Sequence, residues 1–226
     1  MIITIDGPAG TGKSTVAQSV ARDLGFDFLD TGAMYRAIGL AALRRQANLQ
    51  DDREITYVAR LAKIVFDFST HPPGVLLNGE PVGHLLRAGD ATRAASFVAT
   101  VPAVRDILVK QQQEIGNARP NLVTEGRDQG TVVFPHAELK FYLDATPAER
   151  ARRRADQLRA RGELVDISMI QDQIMDRDWR DARRAVGPLA TPPDAEVIDT
   201  TELPLKSVVE RIVSKARQLQ RGSVAS

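Results

Sequence analysis

The feature that most constrains this fold is a glycine-rich stretch near the start of the chain, residues 7–15, GPAGTGKST. It contains the pattern G-x-x-x-x-G-K-S, whose glycines let the backbone curl so that successive N–H groups face a phosphate. The apolar segment MIITID precedes it, and the amphipathic segment STVAQSVARDLG, with Gly25 as the stop, follows it. A phosphate-binding loop must follow a buried strand and open a helix, so both flanks support the motif.

The loop predicts binding of a nucleoside triphosphate with Mg²⁺, since Lys13 can reach the β- and γ-phosphates and the hydroxyl of Ser14 can ligate the metal. The alternative is a simple glycine turn with an exposed lysine. The loop alone leaves open whether water, a protein or a small molecule accepts the γ-phosphate. The residues predicted to bind the nucleotide are Gly7, Pro8, Ala9, Gly10, Thr11, Gly12, Lys13, Ser14 and Thr15.

The rest of the chain has the pattern of a parallel α/β protein. Short apolar segments are typical of buried strands, and segments with helical periodicity separate them. Together with the first strand they predict a core of five short strands. The four further strand segments are residues 26–30, 121–126, 138–144 and 195–200.

The middle of the chain departs from this pattern. Asn78 and Gly79 form a strong two-residue hairpin signal, so residues 64–83 are expected to form a small antiparallel insert. Residues 92–115 are helical in pattern, and Pro102 predicts a break into two helices.

Composition narrows the classes of function. The formal net charge is +1, which argues against a dedicated nucleic-acid binder, because such proteins are usually strongly basic. The chain has no cysteine, which excludes disulfides and thiolate metal sites. No run approaches the roughly 20 apolar residues of a membrane span, and no signal-peptide pattern is present. We expect a cytoplasmic monomer that binds neither nucleic acid nor membrane.

Arginines are concentrated in two segments: residues 149–162 contain six, and residues 176–184 contain four. One guanidinium group can contact two phosphate oxygens at once. These arginine-rich segments, together with a phosphate loop, therefore favour transfer of a phosphoryl group to an anionic small molecule. One alternative is a solvated helix face with ion pairs. Another is a nucleotide-dependent switch, although the guanine-reading pattern N-K-x-D is absent from the sequence.

Three further stretches carry a resemblance to a known family: LDTGAMYRA (29–37), EGRDQGTVVFPHAELKFYL (125–143) and RDWRDARRAVGPLATPPDAEVIDTT (177–201). With the phosphate loop, they closely resemble the bacterial cytidylate kinases over residues 2–217. The resemblance implies phosphoryl transfer from Mg·ATP to CMP or dCMP. The alternatives are a related kinase with UMP or a non-nucleotide as acceptor, and a binding module without turnover.

The resemblance also implies a P-loop NTPase-type fold: a five-stranded parallel sheet flanked by helices, with a β insert and a short helical lid. The whole chain, 1–226, would be a single domain. Its expected parts are a core of residues 1–30, 117–147 and 186–217, an acceptor-binding region 31–116, a lid 148–185 and a disordered tail 218–226.

Family roles in acceptor binding fall on residues in the first half of the chain. Thr31, Tyr35 and Arg36 match positions that hold the acceptor, with Arg36 on its phosphate. Ser96 and Arg105 match positions that read cytosine. Three of these residues have an alternative from the sequence alone: Tyr35 in a helix core, Ser96 on a helix surface, and Arg36 in a local ion pair with Asp30.

The second half of the chain supplies further acceptor-binding positions. Arg127, Arg177 and Arg184 match family positions that hold phosphate, and Asp181 one that contacts the sugar hydroxyls. Asp128 matches a base-reading position, where a carboxylate can accept from the N4 amino group of cytosine; uracil carries a carbonyl there. The alternative is that Asp128 is a helix cap or a structural ion-pair partner.

The chemical step is expected to depend on cations around the transferring phosphoryl group. Lys13 is the candidate in the loop, and Arg150 and Arg154 are the candidates in the lid. Two details depart from the usual family pattern. Gln129 stands where an aliphatic residue is common, and the stretch between Pro81 and Thr92 is atypical.

Overall fold

The computed structural model describes the backbone of residues 1–224 and the side chains of residues 1–222. The chain forms two compact units. The first unit comprises Met1–Asp27 and the chain from Asn121 onward, and the second unit comprises Phe28–Pro120. The predicted domain limits stay a prediction.

The strands of the described chain form two sheets. They are β1 (Ile2–Asp6), β2 (Asp27–Asp30), β3 (Ile64–Asp67), β4 (Gly74–Leu77), β5 (Glu80–Pro81), β6 (Leu122–Glu125), β7 (Leu139–Asp144) and β8 (Glu196–Asp199). The larger sheet has the order β2-β6-β1-β7-β8, and the smaller has the order β3-β4-β5.

Helices separate and flank these strands. They are α1 (Lys13–Leu24), α2 (Thr31–Arg44), α3 (Asp52–Leu61), α4 (Gly89–Val98), α5 (Pro102–Ala118), α6 (Pro147–Arg159), α7 (Ile167–Ala182) and α8 (Leu205–Val224).

The larger sheet confirms the predicted five-stranded parallel core. β1 pairs in parallel with both β6 and β7, and β7 pairs in parallel with β8. Ile3 and Ile5 of β1 and Phe141 and Leu143 of β7 are fully buried. Residues two apart along a strand point to the same side of the sheet, and Ile5 lies opposite Phe141 in the parallel register, so these four side chains bury one face of the sheet.

The second unit contains the predicted insert. β3 pairs antiparallel with β4, and β4 with β5. Asn78 and Gly79 both have positive φ, 54° and 86°, as a two-residue turn between right-twisted strands requires. Pro102 occupies the first turn of α5, where its missing N–H costs nothing, so the predicted break between two helices is confirmed as well.

The helix α3 was not predicted, although its signal is local. Asp51 accepts hydrogen bonds from the backbone N–H groups of Arg53 and Glu54, at 2.8 and 3.3 Å. An Asp followed three residues later by Glu is a capping pattern. Ile55 and Val58 then supply the buried face.

The C-terminal helix is longer than predicted. The sequence analysis placed a disordered tail at residues 218–226, but α8 continues to Val224. The physical reason is that Gln218, Leu219, Gln220 and Arg221 are good helix formers that extend a helix already anchored by its buried face. Residues 225 and 226 lie outside the described residues.

The arginine-rich region forms two helices that share a small apolar core of their own. Ala151 and Ala155 of α6 pack with Ile170 and Ile174 of α7. The chain is not helical between Arg159, the last residue of α6, and Ile167, the first residue of α7. Their shared core makes α6 and α7 a pair within the first unit.

Candidate active site

The glycine loop joins β1 to α1 with the curled backbone that phosphate binding needs. Gly7, Gly10 and Gly12 have φ values of 142°, 84° and 90°. A side chain at Gly7 would also place a Cβ only 2.0 Å from the carbonyl oxygen of Leu143 on β7. Only glycine therefore allows the loop to approach the sheet this closely.

Lys13 lies folded against the loop that it follows. Its side chain is buried, and Nζ donates to the carbonyl oxygen of Pro8 at 2.6 Å. Burial lowers the pKa of Lys13, and the positive charge of Arg127 adds to that effect. A cation held in such surroundings gains from a nearby anion, which is the electrostatic condition for binding phosphate.

Two acidic residues at the ends of neighbouring strands contribute to the site, and the sequence analysis assigned neither of them a role. Glu125 ends β6 and accepts a 2.6 Å hydrogen bond from the Ser14 hydroxyl. Asp6 ends β1, immediately before the loop. Their position in the sequence could have identified them, because ligands of α/β proteins bind at the carboxyl ends of the parallel strands.

Asp6 holds the backbone that follows Asp128, the residue predicted to read the base. Its two carboxylate oxygens accept from the N–H groups of Gln129 and Gly130, at 2.9 and 2.7 Å. Burial raises the pKa of Asp6 to about 7, against the opposing effect of these two hydrogen bonds. The result is a wide turn at Gln129–Val133 held directly on the end of β1.

Asp128 opens this turn and is buried. The neighbouring Gln129 is buried too, and its side-chain oxygen accepts from the hydroxyl of Thr124 at 2.9 Å. That hydrogen bond explains how a polar side chain is accommodated where the resemblance led us to expect an aliphatic one.

Three of the predicted phosphate-binding residues come together around the carboxylate of Asp181, the predicted sugar-binding residue. Asp181 on α7 is fully buried, accepts from Arg127 Nε at 2.8 Å and also pairs with Arg184. Arg177 Nε lies 3.9 Å from it. Burial alone would raise the pKa of Asp181, but the charges of Arg127, Arg184 and Arg177 together lower it. Three cations around one anion leave a surplus of positive charge that suits a phosphate.

The two predicted lid arginines lie in different surroundings on α6. Arg150 is buried, and its guanidinium donates to the carbonyl oxygens of Ala145 and Ala9, both at 3.0 Å. It also pairs with Asp178 of α7, a residue with no predicted role. Arg154 is half-buried, and burial lowers its pKa, with the charge of Arg161 adding to the effect.

In the second unit, the structure tests the alternatives given for single residues. Arg36 does pair with Asp30, at 2.7 Å. Asp30 also caps α2 by accepting from the N–H of Ala33 at 2.8 Å. The local ion pair is therefore real, and it holds the guanidinium of Arg36 beside the start of α2.

The other second-unit candidates are mostly buried. Ser96 on α4 is 4% exposed, so its placement on a helix surface is wrong. Arg105 on α5 is 1% exposed, and its guanidinium carbon lies 5.7 Å from the ring centre of Tyr35. Tyr35 packs at the edge of an apolar core, as its alternative reading expected. Thr31, the first residue of α2, is buried.

The parallel sheet, the curled glycine loop between its central strand and α1, and the loop lysine together define a P-loop nucleotide-binding protein. Solved structures share this fold. A gluconokinase from Sinorhizobium meliloti 1021 aligns over 99% of this chain and 96% of its own, with a TM-score of 0.51 and 16% sequence identity. At that identity the likeness concerns the fold alone.

Sequence comparisons identify the family. The family model "Cytidylate kinase" matches residues 3–218. A cytidylate kinase of Pelotomaculum thermopropionicum is 45% identical over 216 residues, covering 94% of each chain. One of Oleidesulfovibrio alaskensis is 46% identical over 223 residues, covering 96% of this chain and 98% of its own. This chain belongs to the cytidylate kinase family, as the resemblance of its motifs predicted.

Throughout the described part of the chain, no helix is both long enough and apolar enough to cross a membrane.

Proposed function

We propose that this protein transfers the γ-phosphoryl group of ATP to CMP or dCMP, giving ADP and CDP or dCDP. The observation that carries the proposal is near-complete alignment, at 45–46% identity, with relatives named cytidylate kinase. The geometry of the first unit supports it, because the same unit contains a phosphate loop and an arginine cluster. A kinase that acts on a nucleoside monophosphate needs both, one for the donor and one for the acceptor.

The donor phosphates are proposed to lie in the loop of residues 7–15. The backbone N–H groups of the loop and the N-terminus of α1 would face them, and Lys13 would exchange the Pro8 carbonyl for phosphate oxygens. Such donors stabilise charge that shifts toward the leaving group as the phosphoryl group is transferred.

The oxygen donors beside the loop fit Mg²⁺. The Ser14 hydroxyl donates to Glu125 at 2.6 Å, which leaves the lone pairs of Oγ for a cation. Mg²⁺ commonly takes one or two protein oxygens and fills its other positions with phosphates and water. Ser14 would hold the ion, which would neutralise charge on the β- and γ-phosphates.

The acceptor phosphate is proposed to bind the arginines around Asp181. Arg127, Arg177 and Arg184 supply the positive charge, and Asp181 orients two of them by direct hydrogen bonds. No general base is needed, because a phosphate monoester is largely a dianion at neutral pH. In-line positioning and charge neutralisation are then the main requirements, and Lys13, Arg150 and Arg154 are the proposed cations around the transferring group.

Base selection is proposed to rest on Asp128, whose carboxylate can accept from the N4 amino group of cytosine. Uracil presents a carbonyl oxygen at that position, and two facing acceptors in a buried site are strongly unfavourable. The second unit has its own proposed acceptor-binding residues, and each can be tested by itself. They are Thr31, Tyr35, Arg36, Ser96 and Arg105.

The remaining expectations concern the state of the protein. We propose that it acts as a monomer in the cytoplasm, as a single domain with a lid over residues 148–185. Light scattering coupled to size exclusion, at assay concentrations, tests the first of these. A molecular mass near twice the 24.7 kDa of one chain would contradict it.

The decisive experiment is ADP release from Mg·ATP, coupled to NADH oxidation, with CMP, dCMP, UMP, AMP, GMP or no acceptor. We expect rapid turnover with CMP and dCMP only. Protein that is folded and binds ATP, but releases no ADP in response to CMP, would contradict the proposal. Faster turnover with UMP than with CMP would instead indicate a related kinase whose acceptor is UMP.

A further inference from the structure

The backbone of Ala9, at the crown of the phosphate loop, is held on both sides by charged side chains. Its N–H donates to Oδ1 of Asp178 on α7, at 3.1 Å. Its carbonyl oxygen accepts from Nη1 of Arg150 on α6, at 3.0 Å. Arg150 and Asp178 also pair with each other. The three residues therefore form a closed ring of hydrogen bonds, which we call the Ala9 clasp.

The clasp is built into the interior rather than lying on the surface. The side chains of Arg150 and Asp178 are 6% and 18% exposed. A second donor of Arg150, Nε, is fixed on the carbonyl oxygen of Ala145 at 3.0 Å. Charge-assisted hydrogen bonds are stronger in such shielded surroundings than between exposed groups. The arrangement can therefore restrain the loop, which an exposed ion pair would not do reliably.

The loop packs directly on the residue that completes the clasp. A Cβ added at Gly10 would lie 3.0 Å from Cβ of Arg150, so the loop and the first turns of α6 are in close contact. Ala9 directly precedes Gly10, whose positive φ belongs to the curled part of the loop. A side chain that holds the backbone of Ala9 therefore also limits conformational change in this curled part.

We propose that Asp178 is a positioning residue for the phosphate-binding loop. With Arg150, it sets the backbone of Ala9 so that the loop is already shaped for the donor phosphates before nucleotide binds. Preorganisation of this kind lowers the cost of binding, because less backbone order has to be gained in the complex. Since α6 and α7 share one apolar core, the clasp also links the loop to both helices of the predicted lid.

The inference deepens the proposed function, because it takes ATP to be the nucleotide. It predicts a selective defect. Asp178→Ala should raise the Kd for Mg·ATP roughly 10-fold, the scale of losing a hydrogen bond to a charged group. The KM for ATP should rise in parallel, while the KM for CMP stays within about 2-fold of the wild-type value, since Asp178 acts on the donor loop.

The test compares three variants by titration calorimetry with Mg·ATP and no acceptor, and then by steady-state kinetics. Asp178→Asn keeps an oxygen that can accept from Ala9 N–H, and it should recover part of the lost affinity. Asp176→Asn is the matched control, because Asp176 is an exposed acid on the same helix. Wild-type affinity in Asp178→Ala would overturn the proposal. So would equal rises in both KM values, which indicate general loss of structure.

A double-mutant cycle adds a readout that a merely structural role would not give. If Arg150 and Asp178 act through one clasp, Arg150→Ala combined with Asp178→Ala should bind Mg·ATP about as weakly as the weaker single variant. Strictly additive losses would overturn the clasp. If Asp178→Ala does not fold, Asp178→Asn and Asp178→Glu provide the same comparison. The calorimetric Kd needs no acceptor, so it tests the clasp even if CMP-dependent turnover is absent and the proposed function fails.

Discussion

Removal of the Asp181 carboxylate should destabilise the protein strongly even when no substrate is present. Asp181 is fully buried, and it accepts hydrogen bonds from both Arg127 and Arg184. The side chains of these arginines are only 14% and 5% exposed. Asp181→Ala would therefore leave guanidinium charges in a poorly solvated place without the carboxylate that offsets them.

The magnitude follows from this burial. Removing one partner of a buried ion pair costs about 3–5 kcal/mol, because the other charge remains desolvated. For a chain of 226 residues, each kcal/mol lowers Tm by roughly 2–4 °C. We therefore expect Asp181→Ala to lower Tm by about 6–20 °C in thermal unfolding followed by circular dichroism at pH 7.5, without nucleotide.

Asp90→Ala provides the control. Asp90 pairs with Arg93 at 2.8 Å, but both side chains are more than 70% exposed. Such a pair contributes about 0.3–0.5 kcal/mol, so Tm should fall by only about 1–2 °C. Sulfate should stabilise Asp181→Ala more than the wild type, because the variant has one more net positive charge among its arginines. A Tm for Asp181→Ala within 2 °C of the control, or equal stabilisation by sulfate, would refute the reasoning.

Three further outcomes are expected. Lys13→Ala should keep the wild-type Tm within a few degrees and lose at least 100-fold in kcat, the usual scale for a lost transition-state cation; near-normal turnover would exclude the loop lysine from the chemical step. Asp128→Ala should reduce the CMP-to-UMP ratio of kcat/KM with little change in the Kd for ATP, and an unchanged ratio would place base reading elsewhere. Burial raises the pKa of Asp6 to about 7, so the native state keeps a proton that the unfolded chain releases above about pH 4. The stabilising contribution of Asp6 should therefore fall as the pH rises from about 4 to about 7. Asp6→Asn should remove this part of the pH dependence when the urea midpoint of unfolding is measured between pH 4.5 and 7.5. Midpoints of variant and wild type that change in parallel with pH would contradict the prediction.

Local signals explain how much of the fold could be predicted. The glycine loop, Asn78-Gly79 and Pro102 each act through the conformation of a few adjacent residues, and each element that they predicted is present. The helix α3 also has a local signal, but its buried face is short, with Ile55 and Val58 as its main apolar residues. The end of α8 was misjudged because a short, mostly polar segment that contains Gly222 is compatible with both disorder and a helix end.

The candidate site was harder to predict because its contacts join distant parts of the chain. Asp178 accepts from a backbone group 169 residues away, and Asp6 from one 123 residues away. Neither contact leaves a periodic pattern in the sequence. The cluster around Asp181 was predicted only as separate family positions, and no local pattern indicates that its carboxylate is buried among the arginines.

The attachment of the Gln129–Val133 turn to Asp6 has a consequence for how acceptor preference can change. Asp128, at the start of this turn, stands on backbone fixed to the strand that also begins the phosphate loop. A shift of that turn to suit another base would disturb the attachment of the donor loop at the same time. Redesign toward a different nucleobase should therefore succeed through exchanges of side chains on an unchanged backbone, and insertions or deletions in residues 126–133 should abolish use of ATP together with use of CMP.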